Sequence, residues 1–202
     1  MKKQSEVVAE LTDHELKLNV YGTQGIMIIL AGVFGFFVFD RWEEFTALFQ
    51  FNINVILLLG GTVAIFIVLI DLVLEKMLPP SWLDDGGINE RVFRELSLLE
   101  LTVLCFVVAV AEELLFRAVL QTAFGLVIAS TIFAVIHFRY LHKPILFINV
   151  WLVSFLLGAL FYWTGNVLVT IFAHFMIDFL LGLVIRHRYV TKNSGRESNM
   201  YD

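Results

Sequence analysis

The sequence predicts an all-α protein, a polytopic bundle of about six transmembrane helices with both termini in the cytoplasm. Composition is the first reason: of 202 residues 59% are hydrophobic and 16% charged, with a mean hydropathy of +0.83. That leaves too little polar surface to cover a soluble globule. Twenty phenylalanines and four tryptophans would give a soluble domain of this size large exposed apolar patches. The second reason is a series of apolar stretches long enough to cross a bilayer, and the third is the placement of the basic residues between them.

The first nineteen or so residues mix Lys2, Lys3, Glu6, Glu10, Asp13 and Glu15 with Val7, Val8, Leu11, Leu16 and Leu18. This suits a cytoplasmic or interfacial N-terminus over 1–20, and it lacks the basic-then-apolar layout of a cleaved signal peptide. A spanning helix needs about 20 mostly apolar residues, and stretches near 22–39, 53–74, 97–120, 123–141, 145–163 and 166–185 meet that test. Gln121, Thr122 and Gly125 are the only breakers between the third and fourth. The longest connection runs from Lys76 through Pro79, Pro80, Asp84, Asp85, Gly86 and Gly87 to Glu95; it reads as a turn-rich loop followed by a segment on the membrane surface. The tail over 191–202 reads as disordered. The whole chain, 1–202, is expected to be a single integral membrane domain.

With both ends inside, the cytoplasmic face collects twelve of the fourteen basic residues. Lys2, Lys3 and Lys17 fall there, as do Lys76, Arg91 and Arg94, then Arg139 and Lys143, then Arg186, Arg188, Lys192 and Arg196. Only Arg41 falls outside and Arg117 within an apolar stretch, which supports an even number of spans. The formal charge of −5 resides largely in loops and termini, so no basic face for nucleic acid is visible. The lone cysteine, Cys105, excludes an intrachain disulfide and reads as a small buried hydrophobe.

Ionisable groups inside the apolar segments carry the chemical interest. Glu112, Glu113 and Arg117 lie within six positions of one another, where each charge costs about 2.5 to 3.5 kcal/mol on insertion scales and so needs partners. Glu113 and Arg117 are four apart and can pair on one helix face. Glu112, about 100° further round, is left for a different neighbour. His137 ends the run Phe133-Ala134-Val135-Ile136-His137, and His174 and Asp178 share a face four residues apart.

Positions 112 and 137 are equidistant from a turn at Phe124 and Gly125. If two antiparallel helices meet there, both groups sit about 18 Å from the outer end, near the middle of a roughly 30 Å core. His174, about 12 Å into a helix running back, reaches a similar level. A carboxylate and an imidazole converging there can polarise a water, with Glu112 as base and His137 holding the water or a metal. His174 and a protonated Asp178 can donate to an oxyanion. The chain has no His-Glu-x-x-His helix, and Ser154 lacks the flanking glycine of a nucleophilic serine turn.

Glu112-Glu113-x-x-x-Arg117, Phe133-x-x-x-His137 and His174-x-x-x-Asp178, in that order on separate apolar segments, resemble the three motifs of the CPBP family, the CAAX-protease and bacteriocin-processing (Abi) intramembrane proteases. The resemblance covers roughly 95–185. It implies a helical membrane endopeptidase in which Glu112 and His137 activate water, His174 and Asp178 stabilise the oxyanion, and Glu113 and Arg117 hold the site in shape. Its substrate would be a membrane-associated peptide or protein, reached from the cytoplasmic side of a bacterial plasma membrane.

Two departures from the family pattern stand out. Ala118 follows the arginine where glycine is common, and Asp178 stands where asparagine is frequent. Glu112, His137, His174 and Asp178 also form a donor set of zinc type, so a zinc site and a metal-free water clamp both remain open. An immunity or scaffold protein keeping the polar cluster for folding, or a proton- or metal-coupled transporter, would explain the same charges; no internal repeat favours transport. His142 and His187 read as interfacial residues, and Glu100 and Asp71 as side chains reaching the interface. Asn149 and Asn166 have no assigned role.

Overall fold

The computed structural model describes residues 10–198, of which 192–198 are described as backbone only. Among these residues every regular element is helical. Helix α1 spans Asp13–Val38 and starts on a capping box: Thr12 accepts from the Glu15 amide while the Glu15 carboxylate accepts from the Thr12 amide. Asp13 to Val20 therefore belong to the first long rod. The part of the expected N-terminal segment that includes Lys2, Lys3 and Glu6 lies outside the described residues. A short α2, Trp42–Thr46, precedes α3, Ile53–Met77.

The long connection holds two short helices, α4 (Pro80–Leu83) and α5 (Ile88–Phe93). Helix α6, Leu98–Glu113, continues through a widened π-helical stretch, Leu114–Gln121, to Phe124. Gly125, at φ +83°, makes the break before α7, Leu126–Ile136. That left-handed region is open to glycine at little cost. Helix α8 is Pro144–Thr164 and α9 is Val167–Ser198.

Each of the six apolar segments therefore becomes a rod, though they differ from the expected spans in length. Four helices are long and apolar enough to cross a membrane: Asp13–Val38, Ile53–Met77, Pro144–Thr164 and Val167–Thr191. The rod at 98–124 is long but carries Glu112, Glu113 and Arg117. The fourth segment, expected over 123–141, is helical for only eleven residues, about 16 Å at the usual rise. Beyond it His137 leaves helical geometry (φ −78°, ψ 48°) and a 3-10 turn, Phe138–Tyr140, follows. At the other end, 191–198, expected to be disordered, continue α9 as helix; no proline follows Pro144 to stop it. Residues 199–202 lie outside the described residues.

Helix α9 packs against α6, α3 and α8, and α1 lies along α6 and its π extension. One apolar cluster joins α3, α8 and α9 through Ile67, Leu157, Leu160, Val169 and Ala173. A second joins Leu16 of α1 to Val92, Leu96, Leu101 and Leu104. Asp13 accepts from Arg91 (2.8 Å) and Arg94 (2.5 Å), and the Asp13 partnership holds the Arg94 guanidinium pKa above its usual value. These contacts fasten the start of α1 beside the start of α6. At the opposite end Asn166 ties the loop before α3 to the start of α9, accepting from the Gln50 amide (3.3 Å) and donating to the Gln50 carbonyl (2.6 Å).

Glu100, an exposed side chain, has a structural task. It closes a second capping box with Ser97, which accepts from the Glu100 amide. Ser97→Ala should therefore lower stability by about 1 kcal/mol, as loss of an N-cap typically does. Thermal unfolding in detergent would measure it.

Candidate functional site

Glu113 and Arg117 lie one helical turn apart, both with fully buried side chains. The Arg117 Nε donates to Glu113 Oε2 at 3.2 Å, and Arg117 Nη2 donates to Ser154 Oγ of α8 at 3.0 Å. The guanidinium also sits 5.7 Å from the centre of the Phe133 ring, a cation–π arrangement. One turn on, Gln121 Nε2 donates to the Gly158 carbonyl at 2.7 Å. Polar bonds thus fasten the π-helical stretch to α8 at two levels. Gly158 permits this approach: a Cβ there would lie 2.8 Å from Gln121 Oε1 and 3.3 Å from Arg117 Nη1.

The second Glu113 oxygen, Oε1, accepts from His174 Nδ1 at 2.9 Å. A carboxylate cannot donate, so Nδ1 carries the proton and Nε2 is the nitrogen left for chemistry. Nε2 faces two more carboxylates, Glu112 Oε2 at 3.9 Å and Asp178 Oδ2 at 3.6 Å. His137 is oriented by the same logic. Its Nδ1 lies 2.7 Å from the Phe133 carbonyl, an acceptor, which leaves Nε2 with its lone pair. The Phe133 ring packs edge-on against Phe116 and at a tilt of 33° against His137 itself. The Phe-x-x-x-His spacing thus has a physical content: the ring receives Arg117 while the carbonyl one turn earlier fixes the imidazole.

Glu112, His137, His174 and Asp178 line one cavity of about 1070 Å³. Glu113 and Arg117 stand behind its wall and act on it through His174 and Phe133. Among the described residues no hydrogen bond joins Glu112 to His137, so the level placement expected from the turn brings them to a common space rather than into contact. No three His, Cys, Asp or Glu side chains among the described residues are gathered to hold a metal ion. His142 and His187 are absent from the cavity lining.

The cavity extends from these side chains to Asp84 and Asp85 of the α4–α5 loop, to Asn89 of α5 and to Arg139 and Arg188, on the side where most basic residues of the described chain lie. The loop is fastened there: Lys143 donates to the Asp84 carbonyl and Arg139 Nη2 donates to Asn89 Oδ1 at 3.2 Å. The Gly86 amide and the Lys143 ammonium hold the Asp84 carboxyl below the usual carboxylate range.

Comparison with known proteins settles the family. Residues 94–180 match the sequence model of a family described as type II CAAX prenyl endopeptidase Rce1-like. Over 175 residues, 87% of this chain and 93% of the other, the sequence is 41% identical to a Bacillus subtilis (strain 168) protein named "Uncharacterized protein YpbD". The chain belongs to the Rce1-like family. No solved structure matches it significantly. The matched segment contains all three motifs of this Rce1-like chain, and its apolar helices mark it as an integral membrane protein.

Several residues of the site carry little signal in the sequence. Ser154, set aside as a nucleophile, is the Arg117 partner. Gln24 of α1, only 4% exposed, donates from Nε2 to Glu112 Oε1 at 3.4 Å, and beside Asn19 and Thr23 nothing in the sequence sets it apart. Asp71 accepts from Asn149 Nδ2 at 2.9 Å, and both line the cavity, so Asp71 turns inward instead of to the interface. Ala118, where family members often have glycine, is fully buried against Ala109, Phe161, Val167 and Ile171, and its methyl group has a place there.

Arg117→Leu should destabilise the protein by about 3 to 5 kcal/mol, because it strands the buried Glu113 charge. Ser154→Ala should cost less, about 1 to 3 kcal/mol for one partner lost from a buried group. Chemical or thermal unfolding of the purified variants in detergent would rank them.

Proposed function

We propose that this protein is an endopeptidase of the bacterial plasma membrane that hydrolyses a peptide bond of a membrane-associated peptide or protein. The reading rests on one observation: four ionisable side chains from three separate chain segments, Glu112, His137, His174 and Asp178, converge on one cavity, and two of them are each oriented by a fixed bond from behind.

In this reading a water sits between Glu112 and the free Nε2 of His137. Glu112 takes one water proton as the oxygen attacks the scissile carbonyl carbon. Negative charge then develops on the carbonyl oxygen, and His174, protonated on both nitrogens, donates Nε2–H to it, joined by Asp178 in its neutral form. The proton held by Glu112 passes to the departing amine as the carbon–nitrogen bond breaks. Glu113, bonded to both Arg117 and His174, keeps the imidazole turned so that Nε2 faces the cavity. Substrate enters from the side carrying the α4–α5 loop, since the cavity reaches that surface.

The test compares protein termini in membranes of cells carrying wild-type chain and cells carrying Glu112→Gln, at matched membrane levels. The expected result is a set of new termini present with wild type and lost with the variant, with His137→Ala losing the same set. Identical termini in all three would instead favour a scaffold or immunity protein.

A further inference from the structure

The mechanism above leaves one buried polar group at the site without a task. Gln24 lies in α1, outside the segment 94–180 that matches the family, in a helix whose neighbouring positions are apolar or exposed. It is 4% exposed, lines the cavity, and donates from Nε2 to Glu112 Oε1 at 3.4 Å. Its own Oε1 is buried with no hydrogen-bond partner. An amide left half satisfied is a poor choice for packing alone, because an apolar side chain of similar shape would avoid the penalty.

The bond divides the two oxygens of Glu112. Oε1 is taken by Gln24, while Oε2 faces His174 Nε2 at 3.9 Å. A glutamate side chain has three rotatable bonds, and an anchored oxygen limits the rotamers that the carboxylate samples. The amide must present its NH2 to the carboxylate, which only accepts when ionised. The register that brings Gln24 to this level is set elsewhere. Asp13 bonds Arg91 and Arg94 at the start of α1, and Leu16 packs with Leu96, Leu101 and Leu104, so α1 runs beside α6 from a common end.

We propose that Gln24 is a positioning residue that holds the Glu112 carboxylate with Oε2 free for the attacking water, so that α1 completes a site otherwise built from the second half of the chain. This rests on the peptidase reading above. Gln24 acts through Glu112 and need not touch the substrate. Its loss should therefore slow the chemical step without weakening substrate binding.

The experiment uses the full-length protein in vesicles with a peptide substrate taken from the termini comparison, and a thermal unfolding cycle of Gln24→Met, Glu112→Met and the double variant. Gln24→Met is expected to lower kcat by about tenfold or more, as a displaced catalytic group does, with KM little changed. Its effect on the unfolding midpoint should differ between the wild-type and Glu112→Met backgrounds, which reports the contact itself. Additive midpoints, or an unchanged kcat in an active enzyme, would overturn the assignment. Coupled midpoints in a wild-type protein that cleaves nothing would overturn the peptidase reading and the catalytic role of Gln24 together, leaving a structural contact.

Discussion

The buried Glu113–Arg117 ion pair is the constraint on which the rest of the structure depends. Both side chains are fully enclosed, and two ions taken out of water are tolerable only when their remaining hydrogen-bonding positions are met by good geometry. Here Arg117 Nε and Nη2, and both Glu113 oxygens, are met from Ser154 on α8, His174 on α9 and the pair itself. The face of Phe133 on α7 lies under the guanidinium, and only Nη1 stays buried without a hydrogen-bond partner. Each of those helices is therefore held in one register against the π-helical stretch. Departures from α geometry of this type are often found at functional sites, and this one begins directly after Glu113.

That arrangement gives the two adjacent glutamates different lives. Glu113 spends both oxygens on structure, one on Arg117 and one on His174. Glu112 meets the cavity, with a single long bond from Gln24 and the imidazole of His174 nearby. The division follows from their angular separation on one helix together with the partners that neighbouring helices supply. The same ion pair also explains the second motif, since Phe133 carries the guanidinium on its ring and the imidazole of His137 on its carbonyl.

Much of this was legible in the chain. The four-residue spacing of Glu113 and Arg117 predicts their pairing, the breaker at Gly125 marks the turn that the depth arithmetic needed, and the charges themselves advertise a polar interior. What escaped was whatever depends on a partner with no periodic signal. Ser154 is a lone polar residue among apolar ones and Gln24 simply follows Thr23 in α1, and nothing in spacing says which neighbour each will meet. The fourth rod reads as a full span because Phe138 and Tyr140 keep it apolar, yet its helix ends at Ile136, and His137 is placed by a cap rather than by helical periodicity. Asp71 looked like an interfacial group because burial on α3 is decided by where Asn149 lies on α8.

The central claim, that one glutamate holds the bundle and the other serves the reaction, is tested most directly by measuring unfolding midpoint and cleavage side by side for Glu112→Gln and Glu113→Gln. Glu113→Gln is expected to lower the midpoint, because Arg117 is left with an uncompensated buried charge. Glu112→Gln is expected to keep a midpoint near wild type while losing cleavage. Equal destabilisation by the two changes, or persistent cleavage by Glu112→Gln, would overturn this division of roles.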